Sequence, residues 1–222
     1  MTTTTEHRRT TFGGLTIDHD DTVLEPRSWT LLQSDWAAEL LARVPQGPVL
    51  ELCCGAGHIG LEAVRRSQVD LVQVDVCESA CAFARRNALT AGLADRVEVR
   101  CVDLATLRSS TQRFPMVLAD PPYVRSDQVH AHPDDPLRAI DGGSDGLSLL
   151  RQCVDVIDAV LLDGGAALVQ VAGATQAMDL ALLLPDTLGI TEIREHDPQR
   201  AVLALERGAS GTDHRRPEGD RS

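Results

Sequence analysis

The residues Asp120-Pro121-Pro122-Tyr123 directly follow an apolar run, FPMVLA, and their types can do chemistry together. Two successive prolines hold the backbone extended and remove two amide donors. What is left is a rigid shelf that offers a carboxylate and carbonyl oxygens, all of them acceptors. A planar nitrogen nucleophile needs such a surface. Asp120 and the Pro121 carbonyl would take its N–H bonds, its lone pair would face an electrophile, and Tyr123 would cover its flat face. A Pro-Pro turn that merely caps a strand is the plainer reading of the same four residues.

A second set of residues surrounds the stretch ELCCGAGHIG, which ends in G-x-G-x-x-G at Gly55, Gly57 and Gly60. That spacing suits any cofactor brought close to a strand-to-helix turn and by itself is weak evidence for a dinucleotide. Glu51 discriminates. A carboxylate near a pyrophosphate cradle costs energy, whereas a ligand carrying an ammonium and a sulfonium welcomes it, so the acid favours S-adenosyl-L-methionine. A strand-end glutamate paired to an arginine is the alternative. Asp75 ends the next apolar run, 20 positions after Gly55, where an acid accepts from both hydroxyls of a ribose in either kind of cofactor. Asp103, in RCVDL, is placed to accept from an adenine amino group or, equally well, to cap the turn that begins at Leu104.

These acids must be positioned by strands. PVLELCC, VDLVQVD, RVEVRCVD, FPMVLAD, GGAALVQVA, GITEIRE and RAVLALE all read as strands. Helical patterns lie near 59–66, over ESACAFARRNALTAGL to Gly92, at about 144–162 and at 174–184. The alternation predicts an α/β fold, a mainly parallel Rossmann-like sheet with helices on both faces, in which ligands bind at strand carboxyl ends. The segment PPYVRSDQVHAHPDDPLRAIDGG has no apolar period, and its place after a strand favours function. Within it Arg125 and Arg138 could meet an acidic protein or a phosphate, or be solvated or paired with Asp127, Asp134 or Asp135. Asp141-Gly142-Gly143 could close over a substrate as a lid.

The 222 residues fit one domain, expected over 21–207, with disordered tails at 1–20 and 208–222. No apolar run reaches the roughly 18 residues of a membrane span, and the start has no apolar signal region, so a cytoplasmic location is expected with no membrane partner. Basic residues number 21 against 33 acidic, net -12, which makes nucleic acid a less favoured partner than a protein or a small molecule. The 6 cysteines form no C-x-x-C pair and no histidine stands at ligand spacing, so no metal is expected and the thiols read as reduced and structural.

Taken together the motifs resemble the class I S-adenosyl-L-methionine-dependent methyltransferases, and within them the HemK/PrmC family of release factor glutamine methyltransferases. The likeness covers roughly residues 22–206 and rests on EPRSWTLL, LELCCGAGHIGLEA, VDVCESACAFARRNA, CVDL, DPPYV, AIDGGSDGL and LLDGGAALVQVAG. It implies a seven-stranded methyltransferase sheet and S-adenosyl-L-methionine as cofactor. The methionine end would be held by Glu51, Cys53, Gly55 and Gly57, the ribose by Asp75 with Val76, the adenine by Asp103 with Leu104. The acceptor would be held by Asp120, Pro121, Pro122 and Tyr123, with Asp120 also beside the cofactor. It implies N-methylation of a protein side-chain amide, such as a glutamine of a release factor. Four departures stand out. Cys53 replaces a glycine, which a negative φ would make tolerable. Ser28-Trp29 replace the usual residues before Thr30, and Gln170 replaces a strand-end glutamate. Asp120 stands where release-factor enzymes have Asn, as in relatives that methylate exocyclic base amino groups, so a small-molecule amine or a base remains an alternative acceptor. The family's N-terminal helical domain is expected to be missing. A non-catalytic cofactor-binding scaffold and a dinucleotide oxidoreductase are the rival classes.

Overall fold

The computed structural model describes residues 7–208. Its centre is a seven-stranded sheet built from β3 (Val49–Leu52), β4 (Leu71–Asp75), β5 (Val97–Cys101), β6 (Phe114–Ala119), β7 (Leu161–Val171), β8 (Leu188–Asp197) and β9 (Arg200–Arg207). The strand order is β5-β4-β3-β6-β7-β9-β8. The first five of these are parallel, in register at Leu52↔Val74 and Leu52↔Ala119, while β9 runs antiparallel to both β7 and β8. The chain steps from β3 outward to β5, then returns to the other side of β3 as β6. That reversal is the switch point at which open α/β sheets leave a crevice.

Helices α1 (Leu31–Leu40), α2 (His58–Val64), α3 (Glu78–Thr90), α4 (Leu137–Ile140), α5 (Ser148–Val160) and α6 (Gly173–Ala181) complete the chain. Two buried clusters lie on the sheet's opposite faces. One joins Leu50, Leu52 and Val117 to Leu150, Val154 and Ile157 of α5. The other joins Val49, Met116 and Leu168 to Trp36 of α1, Ile59 of α2 and Phe83 of α3. Successive strand residues thus feed opposite cores, the reason these strands read as continuous apolar runs.

Residues 7–20 depart from expectation. Instead of a disordered tail, β1 (Arg8–Phe12) and β2 (Leu15–His19) form an antiparallel hairpin turned at Gly13-Gly14, where Gly13 has φ 56. Phe12, Leu15 and Ile17 are buried in the second cluster, which the threonine-rich composition conceals. Asn87 of α3 locks the hairpin, accepting from the Asp18 N–H at 2.8 Å and donating to the Asp18 carbonyl at 3.0 Å. Residues 1–6 and 209–222, which the sequence marks as tails, lie outside the described residues. Among the described residues no helix is long and apolar enough to cross a membrane, and no group of side chains is arranged to hold a metal.

Candidate active site

At the carboxyl ends of β3, β4, β5 and β6 lies a cavity of about 260 Å³. Of the residues singled out by sequence, Cys53, Gly55, Asp75, Val76, Asp103, Leu104, Asp120 and Pro122 line it. Glu51, Gly57, Pro121 and Tyr123 do not.

Glu51 is 2% exposed and turned under the glycine loop, not into the cavity. Its carboxylate accepts from the Gly60 N–H at 3.0 Å and from Gln73 Nε2 at 2.7 Å. Burial pushes its carboxyl up to about 7, with Asp120 and Asp75 adding to the rise. Gln73, whose Nε2 also donates to the Gly57 carbonyl at 2.8 Å, joins the acid to the loop. A Cβ at Gly57 would lie 2.6 Å from Gln73 Nε2, and one at Gly60 would collide with the Glu51 carboxylate. The last glycine of G-x-G-x-x-G is therefore a packing residue, and Glu51 braces the loop from below. A glutamine inside the run VDLVQVD was the available signal for that brace.

Asp75 fixes the loop from the cavity side. Its Oδ2 accepts from the Gly55 N–H and its Oδ1 from the Cys77 N–H, both at 2.9 Å. Gly55 has φ 52, and a Cβ there would meet only Val23 at 4.0 Å, so the missing side chain leaves room on the cavity side. Cys53 has φ 55, the left-handed region, not the negative φ that its replacement of glycine would call for. A non-glycine residue there costs about 1–2 kcal/mol. Contact with the Cys153 thiol of α5, then burial, raises the Cys53 thiol well above its ordinary range. The thiols are all free; Cys54, Cys81 and Cys153 are buried and Cys101 is exposed.

Asp103 caps a 3-10 turn through the Ala105 N–H at 2.8 Å, the plainer of its two readings, and also lines the cavity. Beside it, Val76 is 53% exposed, an apolar surface a flat ring could cover.

The acceptor shelf closes the other end. Asp120 faces the cavity with no hydrogen-bond partner on its carboxylate among the described residues, and burial pushes its carboxyl up to about 7. The Pro121 carbonyl likewise accepts no hydrogen bond there. Tyr123 is half-buried against the α5 core, and burial raises its hydroxyl far above the ordinary range. Gln33 of α1 holds the strand ends below, donating from Nε2 to the Ala119 carbonyl at 3.1 Å and the Leu168 carbonyl at 2.9 Å. Gln176 of α6 donates to the Tyr123 carbonyl at 3.0 Å. The Asp141-Gly142-Gly143 turn is packed, not free as a lid would be. The Gly142 N–H donates to the Val124 carbonyl at 2.7 Å, and a Cβ at Gly142 would lie 2.8 Å from the Pro122 carbonyl. It buttresses the shelf.

Sequence reasoning missed three contributors. A strap after the hairpin brings Thr22, Val23 and Leu24 to the cavity, α5 brings Leu149 and Gln152, and α2 brings His58. Burial lowers the His58 imidazole to about 3, so the ring is neutral, with Nδ1 buried and unpartnered. The quoted EPRSWTLL pointed near the strap. A second, polar cavity of about 370 Å³ lies beside the first, between the strap and His132–Pro136, and shares Val23 and Pro136 with it.

A family model described as "Conserved hypothetical protein 95" matches residues 33–134. The ribosomal protein uL3 glutamine methyltransferase of Francisella tularensis is 28% identical over 75% of this chain and 55% of its own length. The release factor glutamine methyltransferase of Deinococcus radiodurans is 32% identical over 72% of this chain and 58% of its own. Among solved structures, the ribosomal protein L11 methylase of Lactobacillus delbrueckii subsp. bulgaricus superposes with a TM-score of 0.62 at 14% identity, covering 84% of this chain and 82% of that one. The chain is similar in sequence to glutamine methyltransferases and shares the class I methyltransferase fold of the superposed methylase. It spans little more than half the length of the two curated relatives.

The cavity fits the cofactor of such enzymes. Asp75 and Asp103 could offer acceptors to a ribose and an adenine, Val76 and Leu104 line it with apolar surface, and nothing but Val23 at 4.0 Å stands where a Cβ of Gly55 would lie.

Proposed function

We propose that the protein is an S-adenosyl-L-methionine-dependent N-methyltransferase acting on a protein side-chain amide, a glutamine. The observation that carries this reading is the Asp120 carboxylate, unpartnered and directed into a cavity whose other wall holds Asp75. The residue is half-buried and its carboxylate holds no protein donor, so a ligand N–H that enters the cavity finds a free acceptor there. The names of the curated relatives support glutamine as the acceptor.

When bound, the cofactor supplies an electrophilic methyl group on a sulfonium. Asp75 would hold the ribose hydroxyls, using acceptor capacity left after the Gly55 and Cys77 amides. Asp120 and the Pro121 carbonyl would accept the two N–H bonds of the acceptor, turning its lone pair inward. Alignment of this kind is worth up to roughly 7–11 kcal/mol in well-oriented systems. Positive charge that develops on the nitrogen is stabilised by an ionised Asp120, which then receives the released proton. Asp120 is also the observation that favours a second reading, an exocyclic base amino group or a small-molecule amine, since a carboxylate suits a more basic nitrogen than an amide.

Incubation with radiolabelled S-adenosyl-L-methionine and cell extract, followed by separation of protein, nucleic acid and small molecules, tests this directly. Label in one protein band, mapping to glutamine, is the expected result. Label confined to nucleic acid or to small molecules would replace the acceptor, and no label with wild-type protein that still binds the cofactor would favour a scaffold.

A further inference from the structure

Arg125 and Arg138 belong to the same irregular segment, and the structure separates them. Arg125 is paired with Asp127 at 3.1 Å and stays outside the cavity. Arg138, on α4, lines the cavity and makes no hydrogen bond or ion pair among the described residues. It is the one arginine lining a cavity whose other ionisable walls include Asp75, Asp103 and Asp120. An unpaired guanidinium amid carboxylates, yet bonded to none of them, has its donors available to a ligand.

The segment that carries Arg138 is tied to the strap beside the cavity. An ion pair between Arg27 of the strap and Asp135 pins the start of α4 to the strap. Pro136 and Val23 then wall the same two cavities, and Val23 lies 4.0 Å from where a Cβ of Gly55 would stand. Arg138, two residues beyond Pro136, lines the same cavity, and the α-carboxylate is the one anionic group that S-adenosyl-L-methionine would bring into it. Glu51 is turned away beneath the loop, so the expected first contact with the amino-acid part of the cofactor does not come from that residue.

We propose that Arg138 binds the α-carboxylate of the cofactor's methionine portion, fixing that end of the ligand by a charge-assisted, planar contact. The proposal rests on the cofactor reading above. A guanidinium presents two parallel N–H donors to a carboxylate, a geometry lysine cannot copy. The contact also distinguishes the full cofactor from adenosine fragments that lack an amino-acid tail.

Calorimetry on the full chain with two ligands tests it. S-adenosylhomocysteine carries the amino-acid tail, and 5′-methylthioadenosine shares its adenosine and thioether but lacks the tail. Arg138→Gln should weaken S-adenosylhomocysteine roughly tenfold or more and leave 5′-methylthioadenosine within twofold. Arg138→Lys should recover part of the loss, and Arg125→Gln should change neither affinity. Equal weakening of both ligands, or unchanged binding of S-adenosylhomocysteine, overturns the assignment. Wild-type protein that binds neither ligand would overturn the cofactor reading itself, a separate and recognisable failure. Arg138 is exposed, so the variants are expected to fold, which circular dichroism checks.

Discussion

Asp75 and Asp120 end two strands, β4 and β6, that flank the same central strand β3, and both face one cavity. Their surroundings differ. Each oxygen of Asp75 already holds a backbone N–H, from Gly55 and from Cys77, so the chain itself fixes that carboxylate's position. Asp120 holds nothing, and burial alone raises it to about 7. The difference follows from what comes next in sequence. After β4 the chain turns into α3 and the Cys77 amide points back at the acid, while the Gly55 amide reaches it from the loop after β3. After β6 come two prolines, which have no amides to give. One acid is satisfied by the protein and awaits a ligand it can share, whereas the other is left for the ligand to satisfy.

Substitution can break this comparison. The largest effect expected is from Asp120→Ala, a fall in methyl transfer of about a thousandfold, with cofactor affinity within twofold by calorimetry. Equal loss of rate and affinity would make Asp120 a cofactor residue like Asp75. Asp75→Ala should weaken S-adenosylhomocysteine by about ten- to a hundredfold, because it removes the proposed ribose acceptor and frees the Gly55 and Cys77 amides together. Unchanged affinity would remove the ribose assignment.

The raised acids also link stability to pH. Asp120, at 3.8 when exposed and about 7 when folded, binds its proton more tightly in the folded chain. Glu51 behaves alike, between 4.5 and about 7. The folded state therefore holds more protons than the unfolded one in that window. Their stabilising contribution is fully present below pH about 4 and is lost as pH rises through about 7. Asp120→Asn cannot ionise, so it should be more stable than wild type by about 1–2 kcal/mol at pH 8 and equal to it near pH 4, read by urea denaturation. That figure is less than the full shift because cavity water reaches the carboxylate. A pH-independent difference would contradict the raised acid. The smallest effect should come from Glu51→Gln, a change in cofactor affinity of about threefold or less, since the residue braces the loop from beneath. A large loss would restore Glu51 as a direct ligand contact.

Much of the fold was legible. The seven strand-like runs became the seven strands of the central sheet; the inner ones, buried on both faces, write uninterrupted apolar runs, whereas the edge strands β5 and β8 are largely exposed and mix apolar with charged residues. The hairpin was not legible, because Phe12, Leu15 and Ile17 are spaced among threonines and charges, and their burial depends on α2 and α3 far along the chain. In the site, Asp75, Asp103 and Asp120 were visible as acids that end strands. Arg138 was singled out but left open between a contact and a solvated residue, because nothing local distinguishes a cavity-facing arginine from a solvated one, and His58 and the strap residues gave no signal.

The sequence by itself determined the alternation of strands and helices, the missing amides after Asp120 and the acids at strand ends. Those depend on residue type and near neighbours, the range over which periodicity and backbone chemistry act. Only the tertiary structure decided which polar groups satisfy one another. It turned Glu51 under the loop to Gly60 and Gln73, set Cys53 at a positive φ, packed Gly142 against the shelf, and left Asp120 and Arg138 without partners. Hydrogen bonding is a short-range, directional interaction between residues distant in sequence, so its outcome is fixed only when the strands and helices are assembled.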